Sequence, residues 1–203
     1  MKSTETARRQ KGKATKKRIF AVAKELILAK GYNNVTVDEI CEACSLSKGA
    51  FYIHYKSKED IVRKLYLDDI SEYLDENFKK FLDDNQDASP VDKLKTFIRL
   101  SLRFPSVVGE ELTKLAFVVS LSHKSPENTS FLSECIGPER LQEMIEEGKS
   151  QSLFKSVLST EECVNYIYSF VAGAYISWCL SDAAYDIEQA NEKFVDLLMK
   201  SLQ

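Results

Sequence analysis

Several residue types that enzyme and metal chemistry depend on are scarce in this chain. Only two of its 203 residues are histidine, His54 and His123, and neither lies near a cluster of potential ligands, so a four-coordinate metal site has nothing to complete it. Glycine (seven) and proline (four) are sparse, and no phosphate-cradling glycine loop or Gly-x-Ser-x-Gly elbow occurs. No histidine stands beside a plausible nucleophile. The acidic pairs Glu110-Glu111, Glu146-Glu147 and Glu161-Glu162 are adjacent in sequence, which on a helix turns them about 100° apart instead of across a cleft. The expectation is no catalytic residue, no metal and no cofactor. Five cysteines (41, 44, 135, 163 and 179) are an odd number at irregular spacing, unsuited to a disulfide framework, so reduced thiols are expected. No apolar run approaching 18 residues is evident and the N-terminus is basic and polar, which predicts a cytoplasmic protein with no membrane partner. No stretch alternates strictly enough for a strand, and no internal repeat is present.

What the sequence has is helical periodicity and an uneven distribution of charge. A hydrophobic content of 44% with 29% charged residues suits a globular chain of one or two domains. The net charge of −3 conceals a division: residues 1–64 carry 15 Lys and Arg against 7 Asp and Glu, a net of +8, and the remainder carries 13 against 24, a net of −11. A basic module neutralises phosphates, and an acidic remainder avoids them. Residues 1–14 lack periodicity and predict a flexible basic arm, whose Arg8, Arg9, Lys11 and Lys13 have phosphates or an adjacent minor groove within reach or act as a solubilising tail. Ile19, Val22, Ala23, Leu26 and Ile27 form the stripe of an amphipathic helix over Thr15 to Lys30, stopped at Gly31.

Residues 36–58 read as two short helices around a tight turn. Thr36 and Glu39 make a capping box, and Val35 and Ile40 occupy the positions of a hydrophobic staple. Ser45-Leu46-Ser47 breaks the helix, and Ser47 caps the next one. In that second helix Phe51 and Tyr55 point inward, leaving Lys48, Gly49, Ala50, Tyr52 and Ile53 on the surface, small near the N-terminus as a major groove requires, with Lys48, Tyr52 and His54 in reach of phosphates. This pattern is a helix-turn-helix.

Downstream, Ser57 caps a long helix whose apolar positions run from Ile61 to Leu82. Ser89-Pro90 opens a helix through about Phe104, ended before Pro105, and another covers roughly Gly109 to His123. Pro126 to Gly137 reads as loop-rich. Pro138 opens a helix that Gly148 ends, Ser159 to Glu162 opens a strongly apolar one reaching about Asp182, and Ile187 to Leu202 forms the last. The stripes Cys163, Ile167, Phe170, Ala174 and Ala190, Phe194, Leu197, Leu198 exceed what one small domain needs, which predicts a dimer interface, with Gly173-Ala174 permitting close approach of helices.

The run Ile40-Cys41-Glu42-Ala43-Cys44-Ser45-Leu46-Ser47-Lys48-Gly49-Ala50-Phe51-Tyr52-Ile53-His54-Tyr55-Lys56-Ser57-Lys58-Glu59 resembles the signature of the TetR family of bacterial transcriptional regulators. Ser45 stands where that family usually has glycine, Ala50 where it often has threonine and Tyr55 where it usually has phenylalanine. Cys41 and Cys44 fall at the family's alanines, on the packed side of the first helix, so buried small residues are expected there. The resemblance implies an all-α fold: a three-helix DNA-binding domain over 15–58, then a larger helical domain over 59–203 that binds an effector and dimerises. It implies contacts to a palindromic double-stranded operator from Thr36, Ser47, Lys48, Gly49, Ala50, Tyr52, Ile53, His54 and Lys58. It also implies release, by repressor logic, when a small molecule of apolar character enters a pocket for which Phe97, Phe104, Phe117, Leu121 and Tyr166 are the candidate lining. Effector binding is expected to shift the long fourth helix and spoil the spacing of the two recognition helices. Two rivals remain: a redox regulator switched through Cys41 and Cys44, and a regulator controlled by a protein partner.

Overall fold

The structure is a computed structural model that describes residues 2–122, 136–155 and 157–203; the expected loop from Pro126 falls mostly outside them. Every regular element among these residues is helical: α1 (Lys2–Lys30), a 3-10 turn (Tyr32–Asn34), α2 (Val37–Ala43), α3 (Lys48–His54), α4 (Lys58–Asp84), α5 (Pro90–Val108), α6 (Glu110–Ser122), α7 (Pro138–Ser150), α8 (Thr160–Leu180) and α9 (Ile187–Leu202). The chain divides into two compact units, Met1–Leu65 and Tyr66–Gln203.

In the first unit α1 packs on α2 and α2 on α3. Ile19, Ala23 and Ile27 of α1 are buried with Val35, Ile40, Phe51 and Tyr55, and so are Cys41 and Cys44. The division falls seven residues beyond the expected boundary because the first two turns of α4 belong to the first unit. Ile61 and Val62 are buried there, and the Lys58 ammonium donates to the carbonyls of Tyr32 and Val35 at 2.6 and 2.7 Å. The helix α1 begins at Lys2, not at Thr15. Residues 2–14 contain no proline and are rich in Lys, Arg, Ala, Glu and Gln, all good helix formers, so the helix extends beyond the point at which its apolar stripe gives out. The side chains of Arg8, Arg9, Lys11 and Lys13 lie outside the described residues.

In the second unit α5 is the central helix, packed against α6, α7, α8 and α9. It runs to Val108, through Pro105. Proline lacks the N–H that would bond to the carbonyl four residues earlier, which ought to leave the Ser101 carbonyl orphaned in the core. The buried Tyr175 hydroxyl of α8 donates to that carbonyl instead, so the helix continues past the expected stop. Likewise α7 continues past Gly148 to Ser150. Gly148 is there for space: a β-carbon on it would lie 2.2 Å from the Phe154 ring. Helix α8 is long and apolar enough, by length and composition, to cross a membrane, contrary to the expectation that no run comes close. Half of that stretch is buried inside the unit.

Candidate DNA-binding surface and C-terminal sites

The helix-turn-helix is built by caps. Thr36 Oγ1 accepts from the Glu39 N–H at 3.2 Å while the Glu39 carboxylate accepts from the Thr36 N–H at 2.8 Å, which closes the capping box at the start of α2. The Glu39 carboxyl is held below its ordinary range, first by that backbone hydrogen bond and then by Lys30. Ser45 ends the helix with φ at 50°. Ser47 Oγ then accepts from the Ala50 N–H at 3.2 Å and starts α3. Helix α1 is tied to the motif by Arg18, which donates to the Cys44 carbonyl at 2.6 Å, and by the Tyr55 hydroxyl, which donates to the Lys16 carbonyl at 3.3 Å.

These bonds orient α3. Phe51 is fully buried, edge-on to Tyr52 at 5.3 Å, while Lys48, Gly49, Tyr52 and Ile53 are exposed and Ala50 and His54 half-buried. Thr36 is less free than expected: its hydroxyl both accepts from the Glu39 N–H and donates to the Glu39 carboxylate, so its role is that of a cap. Lys58 is also committed within the domain, bonded to two carbonyls and standing 3.9 Å over the Tyr32 ring. Tyr32 in turn donates to Glu59 at 2.7 Å, and burial together with that carboxylate pushes its phenol well above its ordinary range. Sequence reasoning missed Asp38, whose carboxylate pairs with Lys48 at 2.8 Å and raises the lysine's pKa. Ten positions separate the two residues, and no short-range spacing signals a pair formed between α2 and α3.

Cys41 and Cys44 are buried, and desolvation pushes both thiols up. A redox switch requires a stabilised, accessible thiolate, so this environment opposes that role.

Residues 19–65 match the profile described as "Bacterial regulatory proteins, tetR family". The matched stretch is the helix-turn-helix region, 47 of the 203 residues, and it is there that the chain is similar to that family. Over 70 residues it is 41% identical to the HTH-type transcriptional regulator YuxN of Bacillus subtilis, an alignment that covers 34% of this chain and 23% of that relative. Over nearly the whole length it is 22% identical to the probable acrEF/envCD operon repressor of Escherichia coli K12, covering 96% of this chain and 90% of the relative. In three dimensions it is similar to the TetR-family repressor FadR of Thermus thermophilus in complex with lauroyl-CoA, with a TM-score of 0.74 at 22% identity over 93% of this chain and 95% of the other. These likenesses support a DNA-binding transcriptional regulator, with α2 and α3 inside the matched residues.

The effector candidates divide. Phe97 and Phe104 are buried, 5.3 Å from Phe78 and 5.2 Å from Tyr66 between ring centroids, and Phe117 meets Tyr175 edge-on at 6.1 Å. Leu121 and Tyr166, 83% and 58% exposed, stand on outward faces of α6 and α8, so among the described residues they do not join the buried Phe97 and Phe104. Two open grooves lie elsewhere, one of about 540 Å³ between the α4–α5 loop and Lys95 and Arg99, the other of about 440 Å³ beside Leu67, Ser71 and Arg140.

The dimer candidates divide too. Cys163, Ile167 and Ala174 are buried within the unit, so they belong to the monomer core. The stripe is displaced around α8 because the face carrying Cys163 and Ile167 packs toward its own unit. Phe194 and Leu197 on α9 remain 50% and 61% exposed. Phe170 stacks on Phe194 at 4.4 Å, and Leu198 is half-buried. With Tyr166, Ile176 and Leu180, these residues make the outward faces of α8 and α9 apolar.

Proposed function

We propose that this chain is a homodimeric, cytoplasmic repressor that binds a palindromic operator through paired α3 helices and is released by a small apolar effector. The observation that carries the reading is α3 itself: a short helix capped at Ser47 and anchored by buried Phe51, with a cation, a glycine, a tyrosine and an isoleucine turned to solvent in a domain of net charge +8. Dimerisation follows from what one such helix can do, since it spans too few base pairs for tight selective binding, and two related by symmetry read half-sites about one DNA turn apart. The apolar outward faces of α8 and α9 support the dimer. An acyl-CoA is the effector class to test first, because the T. thermophilus repressor of similar fold is known with lauroyl-CoA.

The test begins by selecting duplexes bound by the purified protein from a random pool and titrating the selected operator with and without lauroyl-CoA. The reading expects a palindrome and weaker binding in the presence of the acyl-CoA. Unchanged affinity with lauroyl-CoA rejects that effector class. A pool that yields no preferred sequence rejects the regulator itself.

A further inference from the structure

The exposed groups of α3 are unusual in what they offer a base. Guanine is read best by a bidentate Arg or Lys and adenine by Asn or Gln, and the helix Lys48–His54 contains no Arg, Asn or Gln. Its one cation, Lys48, is held by Asp38 at 2.8 Å, so reaching a base edge requires that pair to be broken beside a carboxylate that repels DNA. Polar readout from α3 is therefore meagre.

Apolar readout is not. Ile53 is 80% exposed, and the surface around it belongs to a basic DNA-binding domain. One helical turn earlier on the same face stands Gly49, and the protein makes no internal use of its missing side chain. Its backbone is ordinary helix, and an added β-carbon would meet only Ser47 Oγ, at 3.9 Å. Glycine there lowers helix propensity relative to alanine without relieving any internal clash, and it clears the way for something outside the chain to come close. A flat patch at Gly49 followed by a branched hydrocarbon at Ile53 fits the floor of a major groove, where the only protruding apolar group is the 5-methyl of thymine.

We infer that this regulator recognises its operator half-site through the thymine 5-methyl group, with Ile53 as the residue that reads it and Gly49 as the residue that lets it approach. The inference rests on α3 being the recognition helix. It makes thymine at the Ile53 contact a requirement for high affinity in each half-site.

Uracil provides the test, because it pairs with adenine as thymine does and lacks only the methyl group. The operator selected by the wild-type dimer is synthesised with each thymine of the half-sites replaced in turn, symmetrically, by uracil. At the contacted position affinity falls by about four-fold for each methyl lost and about fifteen-fold for the symmetric pair, the scale set by burying one such group. Ile53→Ala weakens binding to the thymine operator and abolishes the difference between the thymine and uracil duplexes, whereas Ile53→Val keeps most of it. Because Ile53 lies at the surface, circular dichroism of both variants should match wild type. Equal wild-type affinity for thymine and uracil at every position overturns the inference while leaving the regulator reading intact. Discrimination that survives Ile53→Ala assigns the methyl contact to another residue and overturns it as well. Failure to select any operator removes the regulator reading and this one with it.

Discussion

Ser45 and Gly148 show how much a single backbone position can decide. Ser45 closes α2 with φ at 50°, a left-handed conformation that crowds a β-carbon against the following carbonyl. Ser45→Gly removes that crowding, partly offset by the greater freedom of glycine in the unfolded chain, and is expected to stabilise the first unit by about 0.5–1 kcal/mol in urea unfolding. An unchanged midpoint would mean that the turn is not strained. Gly148 is the opposite case. Its conformation is ordinary, but the Phe154 ring fills the position of the missing β-carbon, so Gly148→Ala forces ring or helix to move and is expected to cost about 1–3 kcal/mol. A neutral Gly148→Ala in the same assay would show that Phe154 repacks freely. The serine at 45, where glycine is usual, already suggests strain; the glycine at 148 reads from sequence as a helix stop, because what it makes room for is six residues away and folds back upon it.

Helices α2, α3, α4, α5, α8 and α9 begin where a serine, threonine or aspartate accepts an amide, and two of those starts carry a carboxylate as well. Glu39 and Glu162 each accept from the backbone N–H of the cap residue and are held below the ordinary carboxyl value of 4.5, chiefly by that bond. Groups depressed in this way contribute stability that is fully present above pH 4.5 and is lost as pH falls through their folded-state values. Thermal unfolding followed across that acid range should therefore fall less steeply in Glu39→Gln/Glu162→Gln than in wild type. Near neutral pH the two proteins should be close, since glutamine also serves in a capping box. Parallel curves would show that the caps do not contribute to the acid sensitivity. Both boxes are legible in the sequence, because their partners are three residues apart. The ladder joining α5 to α9 is not: Lys95 to Asp196, Arg99 to Glu192 and Arg103 to Glu188 form rungs four residues apart on each helix, about ninety positions apart along the chain. Periodicity finds the two helices but does not indicate that they run side by side in opposite directions.

For the whole molecule the proposed dimer is the property to test. Phe194→Asp places a charge on the outward face of α9, where Phe194 stacks on Phe170. With Phe194 half exposed in the monomer, the variant is expected to fold, to sediment as a monomer and to lose operator affinity by at least about a hundred-fold, keeping only weak nonspecific binding. Sedimentation velocity and a binding titration on one sample check this. A variant that remains dimeric moves the interface away from α9, and one that unfolds makes Phe194 a residue of the monomer core.

The all-α class, the capped helix-turn-helix and the basic character of the first sixty-odd residues are determined by the sequence alone. Each rests on interactions within about four residues or on summed charge, which the order of residues specifies directly. Tertiary structure decided which apolar face of a helix is core and which is surface. Cys163, Ile167 and Ala174 lie inside and Phe194 and Leu197 outside, while Leu121 and Tyr166 are turned away from the aromatic core that holds Phe97 and Phe104. A hydrophobic stripe records only that a face avoids water; whether its own unit or a second copy covers that face depends on where every other helix packs. Tertiary structure likewise carried α5 through Pro105, because the hydroxyl that satisfies the Ser101 carbonyl comes from Tyr175, a residue that no local reading connects to it.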